Sequence, residues 1–434
     1  MKWIALLLIF AAIQPLSAWL RRNPAYRMRA WTVLGLMPFL ITVAHLVMAA
    51  RLVDAITQYH TQGLEFSALD ALAMALYFSQ PREGNRIPFR IEMSLYFIAV
   101  IIAIPQSFSV EFSLYYPWQL LRMYFVYMVV ATASAADARV VKAILQGMAI
   151  GLCCQAPISI LQRLSGVLQA SGTFDHQNIL GLVSHFVVLP YFAAFLEGWW
   201  GVIPALVVVS GVVVQVLTAS RATLGLATTG YCLVYVLSIF TSFSPRKMRV
   251  LGAAVAVLVV VVPIALSSIE GRGGAEIEGS DEARGSMERA AGMMLDDHPL
   301  GVGPNTYIQM ANMGGYNAAA RVDYTSWVVF VHNAYWVVAV ETGYLGAITF
   351  ILMLLRPVFV AFLCGFRNRK DSRGVLLLGL AVALLVVEVH GLFEWVMIKS
   401  IVQYMFALEF GMVAGLAMQL GYWRRAGGKI AGAR

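Results

Sequence analysis

Long runs of apolar residues recur along the whole chain, separated by short polar segments. Each run approaches the ~20 residues that an α-helix needs to cross a bilayer. Twelve runs predict membrane-spanning helices, near residues 3–20, 30–50, 92–108, 116–135, 140–161, 178–196, 201–219, 222–241, 249–268, 331–355, 374–391 and 400–419. A weaker run, 64–78, is interrupted by Asp70 and is either a thirteenth span or a helix lying along the membrane surface. The pattern predicts an all-α polytopic membrane protein, with residues 1–434 forming one integral membrane domain.

The composition supports a membrane protein and argues against a soluble domain. Hydrophobic residues make up 60% of the 434 residues and charged residues 12%, with a mean hydropathy of +0.75. A soluble domain is about 25% charged. The net charge of +8 is no sign of a nucleic-acid partner, because the Lys and Arg residues cluster in short loops. The four cysteines lie in or beside apolar runs without CxxC spacing, so we expect neither a disulfide nor a metal there.

The first apolar run is similar to a secretory signal peptide, which would be removed from the mature protein. We expect an uncleaved first helix instead, because many more spans follow it.

Basic loops indicate the orientation in the membrane. Residues 244–249, 367–370 and 424–425 are predicted to be cytoplasmic, and the number of intervening spans agrees with this. The N-terminal arginines at positions 21, 22, 27 and 29 fit the same side only if 64–78 crosses and the chain starts outside. The segments expected on the extracytoplasmic face are 162–177, the turn at 220–221, 268–330 and 390–399.

The segment 268–330 is predicted to be a periplasmic loop, and long structured loops are usually functional. Its first part, 270–282, is rich in Gly and Glu and is expected to be mobile. Residues 286–295 have the apolar spacing of a helix. Residues 296–305 contain enough Gly and Pro to predict a compact turn.

Three residues at this face are candidates for chemistry. His332 stands at the start of a span, where an imidazole can exchange a proton near neutral pH, although a lone interfacial histidine is more often structural. Arg221 lies in a turn so short that its guanidinium is at the membrane boundary, where it either serves a function or reaches lipid headgroups. Arg221 and Arg289 together are suited to bidentate recognition of a phosphate.

Other polar residues of this face are possible pocket walls, although each alone is more often structural. They are Arg163, His176, Asn178, Arg284, Asn333, His390 and Glu394. Asp296, Asp297 and His298 raise the question of a metal, but adjacent residues rarely point at one ion, and we expect no metal and no cofactor.

Several motifs resemble the bacterial O-antigen ligase and O-antigen polymerase superfamily of membrane glycosyltransferases. They are Gly172-Thr173-Phe174 with His176 and Asn178, Ser220-Arg221, Arg289 followed by His298-Pro299-Leu300-Gly301-Val302-Gly303, and His332-Asn333 ahead of Gly343 and Gly346. The last spacing is similar to a signature of the ligase branch. In the ligase pattern, an arginine is often followed by three residues of any type and then by Leu. Here only two residues separate Arg221 from Leu224, and Gly225 stands where the pattern has Leu. This departure weakens the resemblance to the ligase branch more than the resemblance to the superfamily.

The resemblance implies a bacterial inner-membrane enzyme with its active site on the periplasmic face. It would transfer a glycan from an undecaprenyl-diphosphate donor to a hydroxyl of lipid A core, inverting the anomeric centre without a metal. His332 would be the general base, and Arg221 and Arg289 would hold the diphosphate. A polymerase and a protein O-oligosaccharyltransferase of the same superfamily stay open as alternatives. A transporter is disfavoured, because no internal repeat is evident and the polar residues gather at one face.

Overall fold

A computed structural model describes residues 2–44, 47–50, 59–80, 88–270 and 274–423. Its α-helices are α1 (Lys2–Arg22), α2 (Pro24–Ala44), α3 (Ala68–Ser79), α4 (Arg90–Ala103), α5 (Val110–Ser113), α6 (Tyr115–Ala136), α7 (Ala138–Leu164), α8 (Gln177–Glu197), α9 (Ile203–Leu217), α10 (Arg221–Thr241), α11 (Pro245–Glu270), α12 (Gly274–Asp297), α13 (Tyr307–Met313), α14 (Tyr316–Ala319), α15 (Ala334–Arg367), α16 (Ser372–His390) and α17 (Ser400–Gln419). Short 3₁₀ turns occupy Ile104–Gln106, Tyr324–Ser326 and Trp395–Ile398. Strands β1 (Val47–Ala50) and β2 (Leu64–Ser67) form an antiparallel pair.

The prediction of an all-α membrane protein is confirmed. Within the described residues, seven candidate spans are long and apolar enough to cross a membrane: Val110–Ala136, Ala138–Leu164, Gln177–Glu197, Arg221–Thr241, Ala334–Arg367, Ser372–His390 and Ser400–Gln419. Each of the twelve predicted runs coincides with a helix, but α4, with 14 residues, and α9, with 15, are shorter than the runs that predicted them. The total of twelve spans therefore stays a prediction.

Four boundaries differ from the sequence-based expectation. The predicted span 30–50 ends as a helix at Ala44, and Val47–Ala50 pairs as a strand with Leu64–Ser67. The weak run 64–78 is this second strand followed by α3, whose 12 residues cover only ~18 Å. The loop helix α12 begins at Gly274, so most of the stretch expected to be mobile is helical, apart from residues 271–273, which lie outside the described residues. The span predicted from 331 begins at Ala334 and continues to Arg367.

Basic residues gather at one end of the helix bundle. Lys142, near the start of α7, lies over the ring of Trp200 between α8 and α9, with its ammonium 5.6 Å from the ring centroid. Lys247, near the start of α11, donates to Glu197 at the end of α8 over 2.6 Å. We call this the basic end, and the opposite one, where α8, α10, α15 and α17 begin, the far end.

The N-terminal arginines lie at the basic end as well. Arg27 donates to the carbonyl of Ser79 over 3.2 Å and is within electrostatic reach of Asp137, which links α6 to α7. The segment that ends at Ser79 starts at the far end, where the amide of Thr61 donates to Asn305 over 3.0 Å. This path agrees with the hypothesis in which the weak segment crosses and the first helix starts at the far end. Which side of a membrane each end faces stays a prediction.

Asp70, the residue that interrupts the weak run, is paired in the interior. Arg122 of α6 donates through Nε to Asp70 over 3.0 Å and through Nη1 to Glu65 over 3.4 Å, and it also bonds the hydroxyl of Tyr404. Both Arg122 and Asp70 are buried. Charges inside a membrane protein are costly unless paired, so this network explains how an aspartate fits among apolar residues.

Candidate active site

A break in α15 positions the start of this helix at the far end. Gly343 has φ 69° and ψ −175°, outside the helical region and in a conformation that a side chain disfavours. The turn after α12 supplies the hydrogen bonds that the break removes: Val302 donates to the carbonyl of Val340 over 2.9 Å, and Tyr344 donates to that of Pro299 over 3.1 Å. Gly301, in the turn after α12, and Gly343, in α15, therefore lie where the backbones of these two segments meet.

A side chain at these glycines would have no room. A Cβ atom on Gly301 would lie 2.5 Å from the carbonyl oxygen of Glu341, and one on Gly343 would lie 2.4 Å from that of Pro299. A Cβ atom on Gly303 would lie 2.4 Å from the Cβ of Ser107. The motif His298 to Gly303 thus docks onto α15 a short distance after His332.

His332 lies two residues before the start of α15, in a segment that a backbone hydrogen bond joins to the residue after α16. Asn333 caps α15, its side chain accepting from the amides of Tyr335 at 3.0 Å and Trp336 at 3.3 Å. The amide of Ala334 donates to the carbonyl of Gly391 over 2.8 Å. This bond brings the segment that contains His332 beside the residues that follow α16.

The result is a group of polar side chains around Glu394, which we call the Glu394 cluster: Glu394, His332, Arg284 and Asn178. Nδ1 of His332 lies 3.3 Å from Oε2 of Glu394, and Nη2 of Arg284 lies 3.5 Å from Oε1. Asn178 also hydrogen-bonds the carboxyl group. The four residues come from α8, α12 and the segments next to α15 and α16, so folding alone brings them together.

The charge state of the cluster follows from these contacts. Burial disfavours ionisation of Glu394, but the bonds from His332 and Asn178 and the charges of His332 and Arg284 outweigh it, and the pKa of Glu394 is lowered. Its carboxylate can only accept hydrogen bonds, so Nδ1 of His332 carries the proton between them. In the neutral ring Nε2 then holds the lone pair, and the His332 side chain is 29% exposed. His332 can therefore receive a proton from a molecule at the far end.

The motif ahead of α8 is held by two glutamines of α7. Gln162 accepts from the amide of Gly172 and donates to its carbonyl, both over 2.8 Å. Gln155 accepts from the amide of Thr173 over 2.8 Å and donates to its side-chain hydroxyl over 3.0 Å. Gly172 has a left-handed φ of 61°, and a Cβ there would lie 2.2 Å from the side-chain oxygen of Gln155. These bonds hold the segment that leads to His176. The side chain of His176 caps α8 by accepting from the backbone amide of Asn178.

Further charged groups surround the cluster. Burial lowers the pKa of His176, and Glu394, Lys399 and His332 are all within its electrostatic reach. Burial also lowers the pKa of Lys399, while nearby Asp175 opposes this shift. Lys399 and Asp175 were missed by sequence reasoning, although both flank motifs that it selected.

The two arginines expected to bind a diphosphate are carried by α10 and α12. Arg221 is the first residue of α10 and is exposed. Its turn packs on the start of α8, since a Cβ on Gly181 would lie 2.2 Å from Oγ1 of Thr223. Arg289 is exposed on α12 and donates to the carbonyl of Ala320 over 3.5 Å. Both are at the far end, but their convergence on one anion stays a prediction.

The remaining predicted residues fall outside the cluster. Arg163 donates to the carbonyl of Leu168 over 3.0 Å, within its own loop. His390 is fully buried at the end of α16, with its ring centroid 5.5 Å from that of His185. Asp297 and His298 bond the hydroxyl of Tyr316, at 2.9 and 3.2 Å. In the described parts of the chain, no group of three or more His, Cys, Asp or Glu side chains is placed to hold a metal ion.

Sequence reasoning also missed His60. Its Nε2 lies 3.0 Å from Oε2 of Glu341, and both side chains are buried. Glu341 belongs to the motif after His332, but nothing in the spacing connects it to a residue near the start of the chain. The pairing of Arg122 with a carboxylate was easier to predict from the sequence, because a lone arginine inside a predicted span requires a partner.

Together these features define a multi-pass α-helical membrane protein with a histidine–glutamate pair and arginines at one end of its bundle. Residues 205–351 match the family model described as O-antigen ligase, and the match confirms the resemblance to the O-antigen ligase and polymerase superfamily. The matched segment contains Arg221, Arg289 and His332, whereas Asn178 and Glu394 lie outside it. A search of curated proteins found no match to this sequence.

Proposed function

We propose that this protein is an O-antigen ligase-like glycosyltransferase that moves a glycan from undecaprenyl diphosphate to a hydroxyl of lipid A core. The observation that carries the proposal is the contact between His332 and Glu394, within an O-antigen ligase-like chain. The far end would face the periplasm and the basic end the cytoplasm of a bacterial inner membrane, in keeping with the excess of basic residues in cytoplasmic loops.

His332 acts as the general base in this mechanism. A sugar hydroxyl is a poor nucleophile, and removing its proton in the transition state contributes typically ~10²–10⁴-fold. Nε2 of His332 accepts that proton as the hydroxyl oxygen bonds to the anomeric carbon and the bond from this carbon to the diphosphate oxygen breaks. Attack in one step inverts the anomeric centre. Glu394 holds the ring in the tautomer with its proton on Nδ1 and stabilises the imidazolium that forms.

Arginines neutralise the diphosphate as it leaves. A guanidinium offers two parallel N–H groups to phosphate oxygens, and fixed cations near a low-dielectric membrane edge stabilise growing negative charge. Arg221 and Arg289 are assigned to this role because both side chains are exposed at the far end. Arg284 supports Glu394 from 3.5 Å, with its side chain 34% exposed. This mechanism requires no metal.

The proposal is tested with purified protein in lipid nanodiscs, supplied with an undecaprenyl-diphosphate-linked glycan and lipid A core. We expect His332→Ala to bind the donor but to lose transfer by at least ~10²-fold, because the base acts only in the transition state. Glu394→Gln is expected to lower kcat with little change in KM, since it keeps the shape of the cluster but disturbs the orientation and tautomer of His332.

His298→Ala is the matched control, because His298 contacts Tyr316 rather than Glu394. Retained transfer in this variant would also argue against a metal held by Asp296, Asp297 and His298. Near-normal turnover by His332→Ala would end the assignment of the base. Absence of transfer to any hydroxyl acceptor by the wild type, with donor binding intact, would end the proposed function.

A further inference from the structure

A cleft of about 360 Å³ opens at the basic end, remote from the Glu394 cluster. It lies where α7 and α16 begin and where α8 turns into α9. Its lining residues are Ala138, Lys142, Trp199, Trp200, Ser372, Arg373, Leu376 and Leu416. The proposed reaction uses none of these residues.

Lys142 supplies the unneutralised charge of this cleft. Its side chain is exposed, and the ammonium lies 5.6 Å from the ring centroid of Trp200. Among the described residues, no carboxylate forms an ion pair with it. An ammonium beside an indole is stabilised by the ring but keeps its N–H groups for an anion.

Arg373 contributes hydrogen-bond donors rather than net charge. Its Nε and Nη2 bond the two oxygens of Asp371, at 3.0 and 2.6 Å, so this pair is close to neutral. Nη1 donates a long bond of 3.4 Å to Gln419, which a phosphate oxygen can replace. Ser372, the first residue of α16, belongs to the same lining.

The other walls are apolar or amphipathic. Leu376 and Leu416 of the lining are buried, and Trp199 and Trp200 are half-buried. Tryptophan is enriched at membrane–water interfaces, where its ring meets both headgroups and acyl chains. Basic pockets between helices at such an interface suit anionic lipid headgroups.

We propose that this cleft binds the phosphate of an anionic phospholipid, with the headgroup on Lys142 and Arg373 and the acyl chains leaving past the two tryptophans. The combination of a cation, neutral donors and apolar side chains in one lining fits an amphiphile better than a simple ion. The bound lipid would join the starts of α7 and α16 to the link between α8 and α9. The proposal is independent of the transfer reaction at the far end.

The test measures which lipids the full-length protein retains in native mass spectrometry. The probes are phosphatidylglycerol, phosphatidylcholine with the same chains, and inorganic phosphate. We expect phosphatidylglycerol to be retained in preference to phosphatidylcholine, and Lys142→Gln to weaken that retention about fivefold, the weight of one lysine near an anionic surface. Arg373 is left unchanged, because its removal would leave the carboxylate of Asp371 unpaired, and this negative charge would itself repel the lipid phosphate.

Lys370→Gln is the matched control, since Lys370 is exposed in the link between α15 and α16 but does not line the cleft. A loss confined to Lys142→Gln supports the site. Equal retention of the two lipids overturns it, and so does an equal loss in both variants, which would reflect the charge of the surface as a whole. Binding of inorganic phosphate with the same dependence on Lys142, together with displacement of the lipid, would assign the cleft to a soluble phosphate and overturn the lipid assignment.

Discussion

His60 and Glu341 meet in the interior of the protein, with Nε2 of the imidazole 3.0 Å from Oε2 of the carboxyl group, although 281 residues separate them in the chain. The other carboxyl oxygen accepts from the amide of Tyr307 over 3.2 Å. Both oxygens of Glu341 are thus occupied in a place from which water is largely excluded. The pair joins the segment before β2 to α15, two residues ahead of its break at Gly343.

Aromatic contacts connect this pair to the candidate active site. The ring of His60 packs on Phe330, with centroids 5.8 Å apart, and Phe330 packs on Trp395 at 4.6 Å. Phe330 lies two residues before His332, and Trp395 directly follows Glu394. The buried pair therefore supports the backbone that carries both members of the histidine–glutamate contact.

We expect Glu341→Ala to lower the free energy of unfolding by about 3–5 kcal/mol, because it leaves His60 buried without its partner and the amide of Tyr307 without an acceptor. Glu341→Gln keeps one acceptor and should cost less. Thermal unfolding in detergent measures both, with Glu288→Gln on the exposed face of α12 as the control. Equal unfolding temperatures for the three variants would show that the buried pair contributes nothing.

The lowered pKa of Glu394 predicts how stability depends on pH. The ordinary pKa of this carboxyl group is 4.5, and its partners shift the native value downward. The native state therefore holds this proton less tightly than the unfolded state, so the stabilisation is complete above about pH 4.5 and is lost as the pH falls through the native pKa. We expect the unfolding temperature of the wild type to fall more steeply below pH 4.5 than that of Glu394→Gln. Parallel curves would contradict the assignment of Glu394 as an ionised group.

Gly343→Ala and Gly301→Ala are expected to destabilise the protein by more than about 2 kcal/mol each, since both positions have positive φ and a neighbouring backbone fills the space of a Cβ. Gly225→Ala in α10 is the matched control, because nothing lies within 4 Å of a Cβ there and alanine favours a helix. Denaturation curves of the three variants give the comparison. A loss at Gly225 as large as at Gly343 would mean that the docking of the two motifs is not the cause.

Hydrophobic patterning was sufficient to predict the helices, because a membrane requires long apolar segments whose backbone groups bond internally. Boundaries were less predictable. The helix expected to reach residue 50 ends at Ala44, since Val47–Ala50 forms a strand with residues 64–67, and no local pattern reveals a partner so far along the chain. The break at Gly343 was equally hidden, because it depends on bonds from the turn at Pro299.

The candidate site was predictable as a set of residues but not as a set of contacts. Sequence reasoning selected His332 as a candidate base and Asn178, Arg284 and Glu394 as possible pocket walls, and the structure brings these four together. Spacing could not reveal that Glu394 is the centre of the group, because its partners come from distant parts of the chain. Arg221 and Arg289 were given a shared role by the chemistry of their guanidinium groups and by the resemblance, and that role is left to experiment.

We expect Arg221→Lys and Arg289→Lys each to impair transfer severely although the charge is kept, because lysine offers no planar pair of donors to a diphosphate. Steady-state transfer with the undecaprenyl-linked donor measures the effect. Arg163→Lys is the control, since Arg163 bonds its own loop at Leu168. If lysine at both positions restores most of the activity, the two arginines act only through charge or structure. In the same assay excess chelator should have little effect, and strong inhibition would favour a metal in the reaction.

The distinction between a ligase and a polymerase is testable with the same reconstituted protein. The spacing from His332 to Gly346 favours a ligase, whereas the positions of Leu224 and Gly225 after Arg221 depart from the ligase pattern. A ligase moves a preassembled glycan onto lipid A core, while a polymerase joins two undecaprenyl-linked chains and leaves the product on its carrier. Both reactions use a base and cations in the same roles, so site variants alone do not separate them.

We expect the wild-type protein to glycosylate added lipid A core and to leave chain length unchanged when it receives the undecaprenyl-linked donor alone. Gel electrophoresis of the lipid-linked products, with and without acceptor, reads out both reactions. His332→Ala serves as the control, because it should abolish whichever reaction the wild type performs. A ladder of longer undecaprenyl-linked chains formed without acceptor would contradict the ligase assignment. Such a ladder would still require a base to activate the attacking hydroxyl and cations to hold the departing diphosphate, and would therefore leave His332, Arg221 and Arg289 in the same chemical roles.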